Sequence, residues 1–106
     1  MGCAASTEWD IYMTPLETLF HDEVPLFLKR HCEIKTGTYV EWTTLVSAFD
    51  VHMSKHAVYI ECRNHVPWKM ITFLFNKSLH KNAFHVAMAA NNVVTGMSLV
   101  SFPTPV

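Results

Sequence analysis

Apolar residues at 71, 74, 75 and 79 recur at three- and four-residue steps, while Lys69, Lys77, His80 and Lys81 take other positions. That spacing lines one side of a helix, so a helix is expected from Pro67 to Asn82, opened by a proline whose missing N–H is harmless in a first turn. The chain then turns β-branched and is broken once by Asn91-Asn92, which tolerate the positive φ of a tight turn and predict a hairpin. Earlier, Leu45, Phe49 and Met53 form an i, i+4, i+8 core stripe that predicts a helix capped by Thr43, with Ser47, Asp50 and Lys55 facing water.

Nearer the start, Leu16, Leu19, Phe20, Val24, Phe27, Leu28 and His31 also recur at helical steps. Pro25 is expected to split that run, because a proline in a helix interior costs about 3 kcal/mol. The reading is a short leading turn with Thr14 as cap and Pro15 first, followed by a first helix from Asp22 to Glu33 capped by Asp22. Lys29, Arg30 and His31 then fall in a last turn, where cations suit the helix dipole. Lys35-Thr36-Gly37-Thr38 reads as a turn and Tyr39-Val40-Glu41 as a short strand. Ala57 to Val66 reads as an extended connector or short strand. Phe102 to Val106, with two prolines, cannot extend a central strand. The division is a tail over 1–14, one domain over 15–101 and a tail over 102–106.

The chain has 106 residues, enough for one domain with a modest core, and 50% hydrophobic with 16% charged residues is a globular composition. A net charge of −1 argues against a binder of polyanions that works by overall charge, but leaves room for a local basic face. Three cysteines without a Cys-x-x-Cys pair fit a reduced, intracellular chain. No apolar run approaches the roughly 20 residues of a membrane-spanning helix.

Met1-Gly2-Cys3-Ala4-Ala5-Ser6 fits the N-myristoylation pattern at Gly2, with Cys3 placed for a second acyl chain, and membrane attachment is expected only if both signals operate. The carboxylates are scattered and three glycines form no phosphate-cradling loop, so neither an enzyme nor a cofactor is expected. His52 and His56 have an i, i+4 spacing that can grip zinc with Cys62 or His65. Without a His-Glu-x-x-His or Cys-x-x-Cys motif, surface and helix-end histidines are the reading, and no metal is expected. Cys32 reads as a small buried hydrophobe.

The order of elements resembles a known family. Phe27-Leu28-Lys29-Arg30-His31-Cys32-Glu33-Ile34, then Gly37, Tyr39-Val40, and Leu45 with Phe49, followed by Phe75, Leu79, Ala83 and Phe84, and closing on Val94-Thr95-Gly96-Met97-Ser98-Leu99, is similar to the small winged-helix domain at the C-terminal end of poxvirus-type and satellite-phage-type primase-helicases. The resemblance spans residues from about 23 to 101. It implies an α+β winged helix: a three-helix helix-turn-helix core, a short first strand and a C-terminal β-hairpin wing. It further implies nucleic-acid binding in viral or mobile-element replication or transcription control, at the nucleus or a viral replication site. From His85 to Ser98 this chain has no lysine or arginine, where the family is usually rich in both.

DNA contact would fall to Trp68, Lys69, Asn76, Lys77, His80 and Lys81 on the helix, with Asn91 and Asn92 at the wing tip. Lysine supplies charge to phosphates, and asparagine can pair with adenine in the major groove. The alternative is a protein-interaction module, a homodimer or adaptor that docks through an apolar wing face built from Met88, Val93, Val94 and Met97.

Overall fold

The computed structural model of the chain describes residues 9–82, 87–89 and 92–104. The elements run α1 (Asp10–His31), β1 (Cys32–Glu41), α2 (Trp42–Met53), α3 (Ala57–His65), α4 (Trp68–Asn82), β2 (Ala87–Ala89) and β3 (Val93–Leu99). The sheet is antiparallel in the order β1-β3-β2, which puts the last strand between the other two. An α+β architecture with a C-terminal hairpin is thus present.

One continuous α1 replaces the expected turn plus short helix, and it begins at Asp10, inside the expected tail. Neither Thr14 nor Asp22 caps it, and both Pro15 and Pro25 lie within it. Both prolines are exposed, so the backbone carbonyls they leave without a partner can be hydrated. The opposite side buries Leu16, Phe20, Val24, Phe27 and Leu28. Burial of each such side chain is worth about 1.5–3 kcal/mol, enough together to override two local breaks.

β1 follows α1 directly and is longer than the expected three-residue strand. Cys32 pairs with Leu99 and Glu41 with Val93, but the register shifts between Ile34 and Tyr39, so Lys35-Thr36-Gly37-Thr38 bulges opposite Gly96. Gly37 has φ +90°, a conformation that suits glycine, and the Thr38 hydroxyl donates to the Lys35 carbonyl at 2.6 Å. The expected turn is therefore a protrusion within a strand.

The expected connector over 57–66 is the helix α3. Its buried residues are Tyr59 and Cys62, and the Tyr12 ring stacks flat on His65 at 4.7 Å. So few apolar positions give no periodic signal, and the helix is held by tertiary contact with the start of α1. Val66 and Pro67 alone separate α3 from α4, which starts one residue after the expected position.

Phe49 on α2 is the hub of the core. It meets Phe20 and Phe27 of α1 edge-on at 5.1 and 5.3 Å and lies flat on Phe75 of α4 at 4.2 Å. β3 closes the core with Val94, 1% exposed, and Met97, 0% exposed. The apolar wing face is corrected accordingly: these two residues point inward because a two-layer fold must bury one side of its sheet. Val93 is half-buried, and the side chain of Met88 lies outside the described residues. Truncating the hub, Phe49→Ala, is expected to cost about 3–5 kcal/mol of unfolding free energy. Urea denaturation measures this, and a loss below about 1 kcal/mol, the scale of a tolerated core swap, would remove Phe49 from that position.

Candidate nucleic-acid interface

α4 buries Ile71, Leu74, Phe75 and Leu79 and packs on α1. One-turn spacing then gathers Lys69, Phe73, Lys77 and His80 on the opposite side. Lys69, Lys77, His80 and Lys81 are all exposed, as the sequence predicts. α4 contains no carboxylate, and no Asp or Glu follows Glu61 anywhere in the chain. Residues 1–61 hold all nine carboxylates beside Lys29, Arg30, Lys35 and Lys55, whereas residues 62–106 hold Arg63, Lys69, Lys77 and Lys81. A net charge of −1 thus conceals a chain that is acidic in its first part and basic in its second.

The nearest acid to the α4 lysines in an ion pair is Glu17 of α1, whose Oε2 lies 4.0 Å from Lys77 Nζ. Both side chains are well exposed, so the pair is worth little and leaves Lys77 available to an outside anion. Lys77 and Lys81 join His21 and Ser78 around a shallow groove between α1 and α4.

At the other end of α4, Trp68 is exposed and Arg63 of α3 lies over its ring at 5.3 Å. Arg63 is held by Asp50, whose Oδ1 is 3.1 Å from the guanidinium Nε and also accepts the Tyr59 hydroxyl at 2.6 Å. Sequence reasoning missed Arg63, because an extended 57–66 gave it no fixed direction. It missed Phe73 as well, although that residue lies off the 71, 74, 75 and 79 stripe, with Lys69 and Lys77 one turn to either side.

Two expected base readers are differently disposed. Asn76 is half-buried, and its Oδ1 is shielded from solvent without a hydrogen-bond partner among the described residues, so it is not presented to a base edge. His80 Nδ1 pairs with the Asn76 carbonyl at 2.9 Å, which leaves only Nε2 for a ligand. Asn92, exposed with φ 58°, serves the turn, and its carbonyl accepts the Trp42 N–H at 2.8 Å. Asn91, Gly2 and Cys3 lie outside the described residues.

The histidines with metal-like spacing serve the core. His52 Nε2 is 3.0 Å from Oε1 of the buried Glu23, and His56 Nε2 is 3.2 Å from the same oxygen, off the line of a hydrogen bond. Because a carboxylate only accepts, His52 carries its proton on Nε2. Among the described residues no group of three or more His, Cys, Asp or Glu is arranged to hold a metal ion. Burial pushes the Cys32 thiol up to about 12 and raises Cys62 as well, so neither is a ready nucleophile. No helix among the described residues is long and apolar enough to cross a membrane.

Burial acts to raise the Glu23 carboxyl, but the hydrogen bond from His52 and the proximity of His56 outweigh it and hold it below its usual value. Burial also lowers His52, which favours the neutral ring in the fold. Both shifts have the same sign for stability, since the unfolded chain binds more protons than the folded one. The His52 contribution is complete above 6.5 and is lost as pH falls from there towards the folded value. Glu23 is complete above 4.5 and is lost below it. The urea midpoint is therefore expected to fall between about pH 7.5 and pH 5.5, and further below about pH 4.5, at the ordinary imidazole and carboxyl ranges. Replacing the carboxylate, Glu23→Ala, removes a charge-assisted hydrogen bond and is expected to cost about 1.5–3 kcal/mol at neutral pH. A flat pH profile would exclude this pair as the acid-labile element. No protein-family model, curated protein or solved structure matches the chain.

Proposed function

We propose that the chain is a winged-helix domain that binds DNA through α4. The observation that carries the proposal is the outer side of α4, where Lys69, Lys77 and Lys81 stand exposed on a helix without a carboxylate. The order α1-β1-α2, a helix pair joined by Val66 and Pro67, then a hairpin whose last strand pairs with β1, supports the winged-helix reading. In that reading α4 is the recognition helix, β2 and β3 form the wing, and α3 is the helix before the turn.

The contacts are mainly to phosphates. Lysine is a point charge that neutralises phosphate without reading sequence, α4 offers no arginine or glutamine to read a base edge, and the amide nitrogen of its exposed Asn82 is already engaged by the Ser78 carbonyl at 2.8 Å. Binding is weak by this domain alone, since few lysines are engaged. A role in viral or mobile-element replication or transcription control follows from the resemblance to primase-helicase domains. The alternative, docking of a protein partner on an apolar wing, loses support because Val94 and Met97 are committed to the core.

The charge-reversed pair Lys77→Glu and Lys81→Glu is expected to abolish retention of labelled duplex in an electrophoretic shift at low salt, and unchanged retention would discard the recognition-helix assignment. For the unaltered chain, log affinity should fall against log salt with a slope of about 0.9 per phosphate engaged.

A further inference from the structure

We infer that the α4 surface takes unpaired bases, so that its preferred ligand is single-stranded nucleic acid, with Phe73 as the stacking platform. This rests on the proposed nucleic-acid reading of α4 and names the class of ligand within it.

Phe73 is 55% exposed and lies on the side of α4 that faces away from the core. A single exposed aromatic on a protein surface needs no special account. This one has Lys69 four residues before it and Lys77 four residues after it, so a lysine is rooted about 6 Å along the axis on either side of Phe73. A base stacked on Phe73 would have its two flanking phosphates within reach of those charges. Aromatic rings interleaved with cations are what sequence-tolerant binding of single strands requires, because every base has a π-face and every nucleotide a charge. Trp68, 44% exposed and five residues before Phe73, lies about 140° around the helix from it and is not part of this platform.

The groups that reading a duplex would need are missing from the same surface. Base-edge recognition in the major groove uses bidentate arginine, asparagine or glutamine. α4 has no arginine or glutamine, Asn76 Oδ1 is shielded, the exposed Asn82 gives its amide nitrogen to the Ser78 carbonyl, and one nitrogen of His80 is held by its own helix. No lysine or arginine follows Lys81, so the hairpin offers no fixed cation with which to straddle a second strand. An aromatic ring in the middle of the surface gains little from a stacked duplex, whose base faces are already covered.

The test is fluorescence anisotropy of the full chain with labelled oligothymidylate of about 16 nucleotides, at the upper end of single-strand site sizes, and with a duplex of equal length at low salt. The single strand is expected to bind more tightly. Loss of one stacked base in Phe73→Ala is expected to weaken that binding about tenfold and duplex binding less than about twofold, while Phe73→Trp retains it. Equal or tighter binding of the duplex, with no effect of Phe73→Ala on either ligand, overturns this inference and leaves the nucleic-acid reading standing. If the unaltered chain binds neither ligand, the nucleic-acid reading itself falls. Should Phe73→Ala unfold, Phe73→Leu keeps an apolar side chain without a π-face. Single-strand affinity in Phe73→Leu equal to that of Phe73→Trp would equally overturn the stacking role.

Discussion

The packing of Phe49 of α2 against aromatic rings from two other helices is the constraint on which the architecture depends. Its ring has Phe20 and Phe27 at its edges and Phe75 across its face. This fixes α1, α2 and α4 relative to one another, and aromatic pairs prefer such offset and edge-on arrangements to looser contact. Because Phe75 occupies the inward side of α4, the helical repeat leaves Lys69, Phe73 and Lys77 no place but outside. The candidate interface is thus a consequence of the core. The same core explains why α1 runs unbroken through two prolines: its apolar side is anchored at Tyr12 and Met13 before Pro15, at Leu16, Phe20 and Val24 between the prolines, and at Phe27 after Pro25.

One polar tie is buried beside this core. Glu23 reaches from α1 to His52 at the end of α2 and towards His56 before α3, where little water competes for the interaction. A buried carboxylate left alone would be costly, and so would a buried imidazole N–H without an acceptor, so each makes the other's position tolerable. His31, whose ring lies 5.8 Å from that of His52, continues the polar path to Ser101 at 2.9 Å and fastens the segment after β3. This arrangement absorbs the histidine spacing that in the bare sequence resembles metal ligation.

Electrostatics is segregated along the chain, and the fold turns that order into geometry. With every carboxylate at or before Glu61, α4 and the hairpin carry none of their own, and the acids beside them come from other elements, Glu17 of α1 at Lys77 and Glu33 and Glu41 of β1 opposite Ser98 and Val93. The lysines of this part of the chain, Lys69, Lys77 and Lys81, all lie exposed on α4. Asp50 keeps Arg63 against Trp68, so even this cation is directed towards the same end of α4.

β-Branched residues around Asn91-Asn92 gave the hairpin, and the apolar spacing alone determined α2 and α4, together with the lysines left outside α4, because a 3.6-residue repeat with polar interruptions has one way to bury its stripe. It also made Cys32 a core residue. Tertiary contact decided the rest. Local propensity ends a helix at Pro25 and gives none over Ala57–His65, yet burial against neighbouring helices and the Tyr12–His65 stack carry α1 through and form α3. Composition allows Val94 and Met97 on either side of a ribbon, and only the pairing of β3 with β1 over the helices turns them inward. Likewise, Asn76 and His80 are polar residues on a polar side in the sequence. The shielding of Asn76 Oδ1 and the tie of the still exposed His80 to the Asn76 carbonyl arise only in the folded helix.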